Sequence, residues 1–372
     1  MSTPPEIPWA SPLAKLCVIC TLALILLGAF VTTSGAGMAA PNAPHVGGEL
    51  LNPISPITGT AWYKDPALLL EHGHRLAAIT AGVAIGILCA LLWRNWPAFF
   101  IAIAFMGAAE AGRTLGLGKI AIAQLRVWPA MILFVTLLVI GARRRGEKPR
   151  PDQWLALAAY IAAGFQAALG ALRVELETSG SVVLATNIRT FHGVFAQAFL
   201  VLLVILAARL SPVWKELSGQ SHEKAGKFHR MAIVLLGLYF AQLACAAYLR
   251  HRGLGLAIPT WPAAQQGGGL LPAAWSHAIG IHFLHTRVLP ILIAGHVIGL
   301  AIGTAKRAAG VVRLTRIGWT LLALVAVQFL LGVMVIWKGR QAHITNTHVI
   351  TGALICAAAS LYLARAGRLR AA

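Results

Sequence analysis

Eight stretches of predominantly apolar sequence, near 14–32, 69–92, 153–172, 187–208, 229–248, 278–303, 317–337 and 344–364, are each long enough to cross a bilayer. About 20 residues of helix span the roughly 30 Å of hydrocarbon, and eight such runs cannot all be buried against one another in water. The chain is 58% hydrophobic and 11% charged, outside the range of soluble globular domains. Residues 96–142 add a less regular pair, PAFFIAIAFMGAA and VWPAMILFVTLLVIGA, separated by a stretch holding Glu110, Arg113, Lys119 and Arg126. This reads as a two-helix hairpin, so the expected fold is an all-α polytopic membrane protein of about ten transmembrane helices.

A formal charge of +20 would suggest nucleic acid in a soluble protein, but the basic residues are grouped between apolar spans. Arg143, Arg144, Arg145, Lys148 and Arg150 form one group; Lys215, Lys224, Lys227 and Arg230 a second; Lys306, Arg307, Arg313 and Arg316 a third; Arg365, Arg368 and Arg370 the last. With ten spans all four groups fall on one side, the positive-inside pattern, which excludes a nucleic-acid partner and expects both termini in the cytoplasm. Loops 33–68 and 249–277 then face outward. The N-terminus, with Glu6 and one lysine before the first span, is expected to be a retained anchor rather than a cleaved signal. Cys17, Cys20, Cys89, Cys245 and Cys356 all lie in apolar spans; Cys17 and Cys20 make a CxxC that reads as packing, for lack of further ligands.

The two outer loops carry an internal repeat. GAGMAAPNAP (Gly35 to Pro44) and GLGLAIPTWP (Gly253 to Pro262) share GxGxAxPxxP without a gap, and QAALG (Gln166 to Gly170) matches QFLLG (Gln328 to Gly332). The offset between copies is 211 residues at His74/His285 and 162 at Gln166/Gln328, so 49 residues entered the first half, where the hairpin lies. Without the insertion, two four-helix units of matching direction remain, expected to be bundles related by a pseudo-twofold axis along the membrane normal. The domains are then 1–95 with 143–212, the inserted hairpin 96–142, and 213–372.

Four histidines, His74, His192, His285 and His348, open helices running from outside to inside at corresponding places in the halves. A lone imidazole in a membrane helix is more often a hydrogen-bonded core residue than a ligand, but four at equal depth favour a shared function. Pairs of imidazoles on neighbouring helices can ligate a heme iron axially, which gives one slot for His74 with His192 and one for His285 with His348. Arg75, Arg189 and Arg287 lie beside three of them, near the interface where heme propionates would project; the plainer reading is snorkelling to lipid headgroups. Glu71 shares a helix face with His74 and could accept or donate a proton there, whereas the second half has His282 at that position. His296 reads as structural. His45, His72, His251, His277, His282 and His343 crowd the outer face, and His222 and His229 fall in an inner loop, none at a zinc-ligand spacing.

TTSGAGMAAPNAP, EHGHR, NIRTFHG, RHRGLGLAIPTWP, HFLHTR and NTHVITG together resemble the heme A synthase family, over most of the chain except 96–142. The resemblance implies an enzyme that oxidises a methyl group of heme O to a formyl group through successive hydroxylations, supplying heme A to cytochrome c oxidase. It implies that the substrate heme O lies near His74 and His192 with Glu71 assisting, and that His285 and His348 hold a heme b. It implies heme O from the membrane or a heme O synthase, an electron donor, the lipid bilayer and a second copy of the chain as partners, and residence in the cell inner membrane. Two departures stand out: loop 33–68 lacks the cysteine pair of many bacterial members, and the hairpin is extra. Competing readings are a diheme b-type cytochrome that only transfers electrons, and a non-catalytic transporter, for which broken helices with convergent polar groups are lacking.

Overall fold

A computed structural model describes residues 7–40, 46, 50–114, 127–217, 220, 222–307 and 312–370. Pro41–His45 of the first outer repeat, together with Lys119 and Arg126 of the hairpin turn, lie outside the described residues. Among the described residues twelve α-helices follow one another: α1 (Ala10–Thr33), α2 (Pro66–Trp93), α3 (Trp96–Thr114), α4 (Val127–Arg144), α5 (Pro151–Thr178), α6 (Val182–Arg209), α7 (Pro212–Glu216), α8 (Ala225–His251), α9 (His277–Phe283), α10 (Leu289–Arg307), α11 (Val312–Trp337) and α12 (Ala342–Arg370). Among the described residues eight helices are long and apolar enough to cross a membrane, α9 and α10 counting as one, and they coincide with the eight apolar stretches. The protein is an all-α, multi-pass membrane protein. α3 and α4 stand where the hairpin was expected and pack against each other, but neither is among the eight spans found in the described residues, against the ten expected.

The chain divides into two compact units, residues 1–24 with 35–185 and residues 25–34 with 186–372. Compactness thus divides the chain at Ala185, whereas the repeat divides it at 212. A repeat boundary marks duplication and a compact boundary marks thin packing, so they need not coincide.

In the first unit the start of α2 is fixed locally. Asp65 caps it, its Oδ1 accepting from the backbone N–H of Ala67 (3.0 Å) and Leu68 (3.2 Å), with Pro66 in the first turn where a missing N–H costs nothing. The outer loop closes over this start through Ala39, Ala40, Val46 and Leu68, with Trp62 and Ala67 against them. At the other end Trp93 Nε1 donates to the Gln153 carbonyl (3.0 Å) and Gln153 Nε2 donates back to the Leu92 carbonyl (3.1 Å), locking α2 to α5. The hairpin packs on this pair through aromatic edges, Phe99 on Phe134 and Phe134 on Tyr160, their ring centres 6.1 and 5.0 Å apart. Gly86 leaves room for Phe99, whose ring would lie 3.2 Å from an added Cβ.

The second unit is held by helices that approach closely at small residues, as expected where lipid offers no hydrophobic drive for association. The buried face of α12 includes Gly352, Ala353, Cys356, Ala359 and Ser360. At Gly318 on α11 an added Cβ would come within 3.2 Å of the Ala301 Cα on α10. Deeper, Thr304 Oγ1 and the Tyr362 hydroxyl share a hydrogen bond of 2.7 Å.

Candidate functional site

The repeat is visible in the backbone. Gly35 and Gly253, matched in the two outer loops, are both left-handed, at φ 70° and 71°, a conformation that costs glycine least. In each unit the helix bearing the candidate ligand histidine is tied to this loop by the residue three positions earlier. In the first, Glu71 Oε2 accepts from the Ala40 N–H at 2.8 Å; in the second, His282 Nε2 lies 3.1 Å from the Gly255 carbonyl. The positions differ in chemistry but share an anchoring contact.

Glu71 sits 2% exposed in a network of charges. Arg75 donates to its Oε1 at 2.8 Å and to the Ala40 carbonyl at 2.6 Å. Arg173, on α5, approaches the same Oε1 at 3.7 Å and donates to the Gly37 carbonyl at 2.8 Å. Arg173 was not marked by the sequence: it lies 102 residues from Glu71, and no local spacing announces the pair. His74 is half-buried, its Nδ1 fully buried with no hydrogen-bond partner, and the Arg75 and Arg173 guanidiniums lie close enough to act on it electrostatically. Outside the span, the Ser55 hydroxyl and the Leu68 and Ala67 amides hold the Asp65 carboxyl below the usual carboxylate range.

In the second unit His285 and His348 are near enough to interact electrostatically. His285 lies in a π-helical turn, Leu284–Val288, between α9 and α10, and its own carbonyl accepts from Gln242 Nε2 of α8 at 2.9 Å. The extra residue that such a turn absorbs explains an offset between the halves: Arg75 directly follows His74, while Arg287 is two beyond His285. Arg287 is 7% exposed; its Nη2 donates to the Thr260 (2.8 Å) and Ala263 (2.9 Å) carbonyls of the outer loop, with the Trp261 ring 4.9 Å beneath it. Arg75 and Arg287 therefore both hold loop carbonyls.

The paired QxxxG motif acquires a purpose on α11. Gln328 Nε2 lies 3.3 Å from His348 Nε2, and an added Cβ at Gly332 would meet the His348 ring at 3.2 Å. The glutamine orients the imidazole and the glycine makes room for it. Nδ1 of both His285 and His348 is buried without a partner, a costly condition, of order 1–3 kcal/mol, for a group with no function. Arg250, which donates to the Ala29 carbonyl at 2.9 Å, supplies positive charge near His348. His192 also belongs to this unit; Gly193 beside it would place a Cβ 3.9 Å from His251 Nε2, and Arg189 donates to Thr186 Oγ1 at 3.0 Å.

Among the described residues no three His, Cys, Asp or Glu side chains converge, and all five cysteines are free. A porphyrin supplies most of its iron's ligands and asks the protein for one or two, so a pair of imidazoles close enough to interact suits heme. The donor set fits the group: two half-buried imidazoles, each with a buried and unpartnered Nδ1, on separate helical segments, one cleared by a glycine, with arginines nearby for carboxylates.

A family model described as cytochrome oxidase assembly protein matches residues 112–360. The chain belongs to that family. The match takes in His192, His285, His348, Arg189 and Arg287 of this family member and begins after Glu71, His74 and Arg75. Among curated proteins it is similar to heme A synthase of Cereibacter sphaeroides. One strain's protein is 26% identical over 270 residues, covering 70% of this chain and 58% of the relative; another's is 23% identical over 264 residues, covering 71% and 59%. The family member spans less than two thirds of the length of these relatives.

Proposed function

We propose that the protein is a heme A synthase, oxidising a methyl group of heme O to a formyl group through successive hydroxylations. The observation that carries this reading is the His285–His348 pair with its Gln328 and Gly332 support, set in a chain of the cytochrome oxidase assembly family. In this proposal His285 and His348 would hold a resident heme b, which would supply redox chemistry when bound. His74 and His192 receive the substrate heme O, and Glu71 handles a proton beside it. Arg75 and Arg287 hold loop carbonyls in place, and these two with Arg189 present guanidinium edges to propionates. A lipidic substrate enters sideways from the bilayer, and the apolar surroundings keep water from the reacting methyl carbon. The positive-inside distribution supports an inner-membrane location with both termini cytoplasmic.

Co-expression with a heme O synthase, followed by acid–acetone extraction and chromatography, tests the reading. Heme A should appear only when the protein is present. His348→Ala and His285→Ala should each lose the heme b absorbance, whereas His74→Ala should keep it and stop heme A formation. Two hemes b and no heme A in the extract would instead identify an electron-transfer cytochrome.

A further inference from the structure

At the end of the second unit away from the candidate ligands, α11 and α12 border an open surface cavity of about 430 Å³ lined by Arg313, Arg316, Ile317, Thr320 and Arg365. We propose that it binds the phosphodiester headgroup of an anionic phospholipid. This inference is independent of the heme A synthase reading.

Three guanidiniums around one cavity repel one another unless an anion joins them. The chain supplies only part of that charge: Glu216 pairs with Arg313 at 2.6 Å, at the rim, both side chains being about half exposed. The Arg316 and Arg365 guanidiniums have no directly paired or hydrogen-bonded partner among the described residues, Glu216 attracts Arg365 only from farther off, and none of the 149 residues after Glu223 is acidic. Arginine forks match phosphate oxygens in pairs, and the Thr320 hydroxyl in the wall donates to the Arg316 carbonyl at 2.9 Å, which leaves the guanidiniums as the donors for an anion.

The surroundings favour a lipid over a soluble anion. Ile317, buried, forms the apolar side of the cavity, and Trp319, 48% exposed, stands beside Arg316 where tryptophan marks a membrane interface. From Arg316 an exposed stripe continues along α11 at helical spacing through Thr320, Ala323, Val327 and Leu330, a track for an acyl chain below a bound headgroup. Basic pockets between spans on the positive side of a membrane protein have this chemistry.

The test uses the full chain in neutral detergent, with native mass spectrometry counting bound phosphatidylglycerol against phosphatidylcholine of matched acyl chains. Phosphatidylglycerol should bind preferentially, and Arg316→Gln and Arg365→Gln should each weaken it about five-fold. Glu216→Gln, which removes the competing carboxylate, should tighten binding, an effect that damaged folding cannot imitate. Equal binding of the two lipids, unchanged binding in both arginine variants, or no gain in Glu216→Gln would each overturn the site. Glycerol phosphate or inorganic phosphate raising the melting temperature as much as phosphatidylglycerol would make it a soluble-anion site and overturn the lipid assignment.

Discussion

Taking the charge from Glu71 leaves Arg75 and Arg173 facing each other across a carboxylate they both used, so Glu71→Gln should destabilise the first unit although its shape is kept. Removing one partner of a buried ion pair costs about 3 kcal/mol, which a thermal melt in detergent detects. The variant alone cannot separate an anchor from a proton carrier. Adding Arg173→Gln relieves the unpaired charge, and the double variant should regain stability without regaining heme A formation; if turnover returns with stability, Glu71 is an anchor only. Gly332 offers a second residue-scale test. Alanine there puts a methyl 3.2 Å from the His348 ring, and valine adds branches that the ring cannot avoid. Gly332→Ala should loosen heme b, seen as faster loss of absorbance in detergent, and Gly332→Val should abolish it. Gly295→Ala, where nothing lies within 4 Å of the added carbon, should leave the spectrum unchanged.

The start of α2 contributes to the acid sensitivity of the first unit. Asp65 is held below the usual carboxylate range, first by the Ser55 hydroxyl and then by the helix amides, so its contribution to stability is complete above the unfolded-state value, about 4. It is lost as pH falls through the lower folded value. Asp65→Ala should cost about 1 kcal/mol at neutral pH, and the difference from the unaltered protein should shrink in acid; a difference independent of pH would show that the cap does not work through its charge. The element ends were only partly legible in the sequence. α2 begins at Pro66 behind its Asp65 cap, ahead of the apolar stretch from 69, and other spans likewise run several residues past theirs, because caps and first turns are polar and hydropathy does not register them. The π-turn at Leu284–Val288 left one trace, the extra residue between His285 and Arg287, which spacing alone does not distinguish from drift.

For the whole molecule, the eight spans were legible because the bilayer requires a long apolar run from any helix that crosses it, whatever it packs against. The repeat was legible because duplication preserves spacing, and its matched glycines take the same left-handed conformation. Which side chains meet was not legible: Arg173 reaches Glu71, and Gln328 reaches His348, through helix packing that no local pattern encodes. The hairpin tests how far the two kinds of information go together. Its ends meet, since Arg145 Nη2 donates to the Trp93 carbonyl at 2.8 Å and Asn95 Nδ2 to the Leu137 carbonyl at 2.9 Å. α2 and α5 also contact each other directly. Excising 96–142 therefore closes a short gap and removes an even number of helices. A reporter fused to the C-terminus should stay on the same face of the membrane, and heme b absorbance should persist. The first unit should melt lower, because the aromatic contacts joining Phe99, Phe134 and Tyr160 are worth about 0.5–1.5 kcal/mol each. A reporter on the opposite face would mean that the excised segment crosses an odd number of times. Loss of heme b would mean that the insertion supports the second unit, and its proposed status as an appendage to the first would fail.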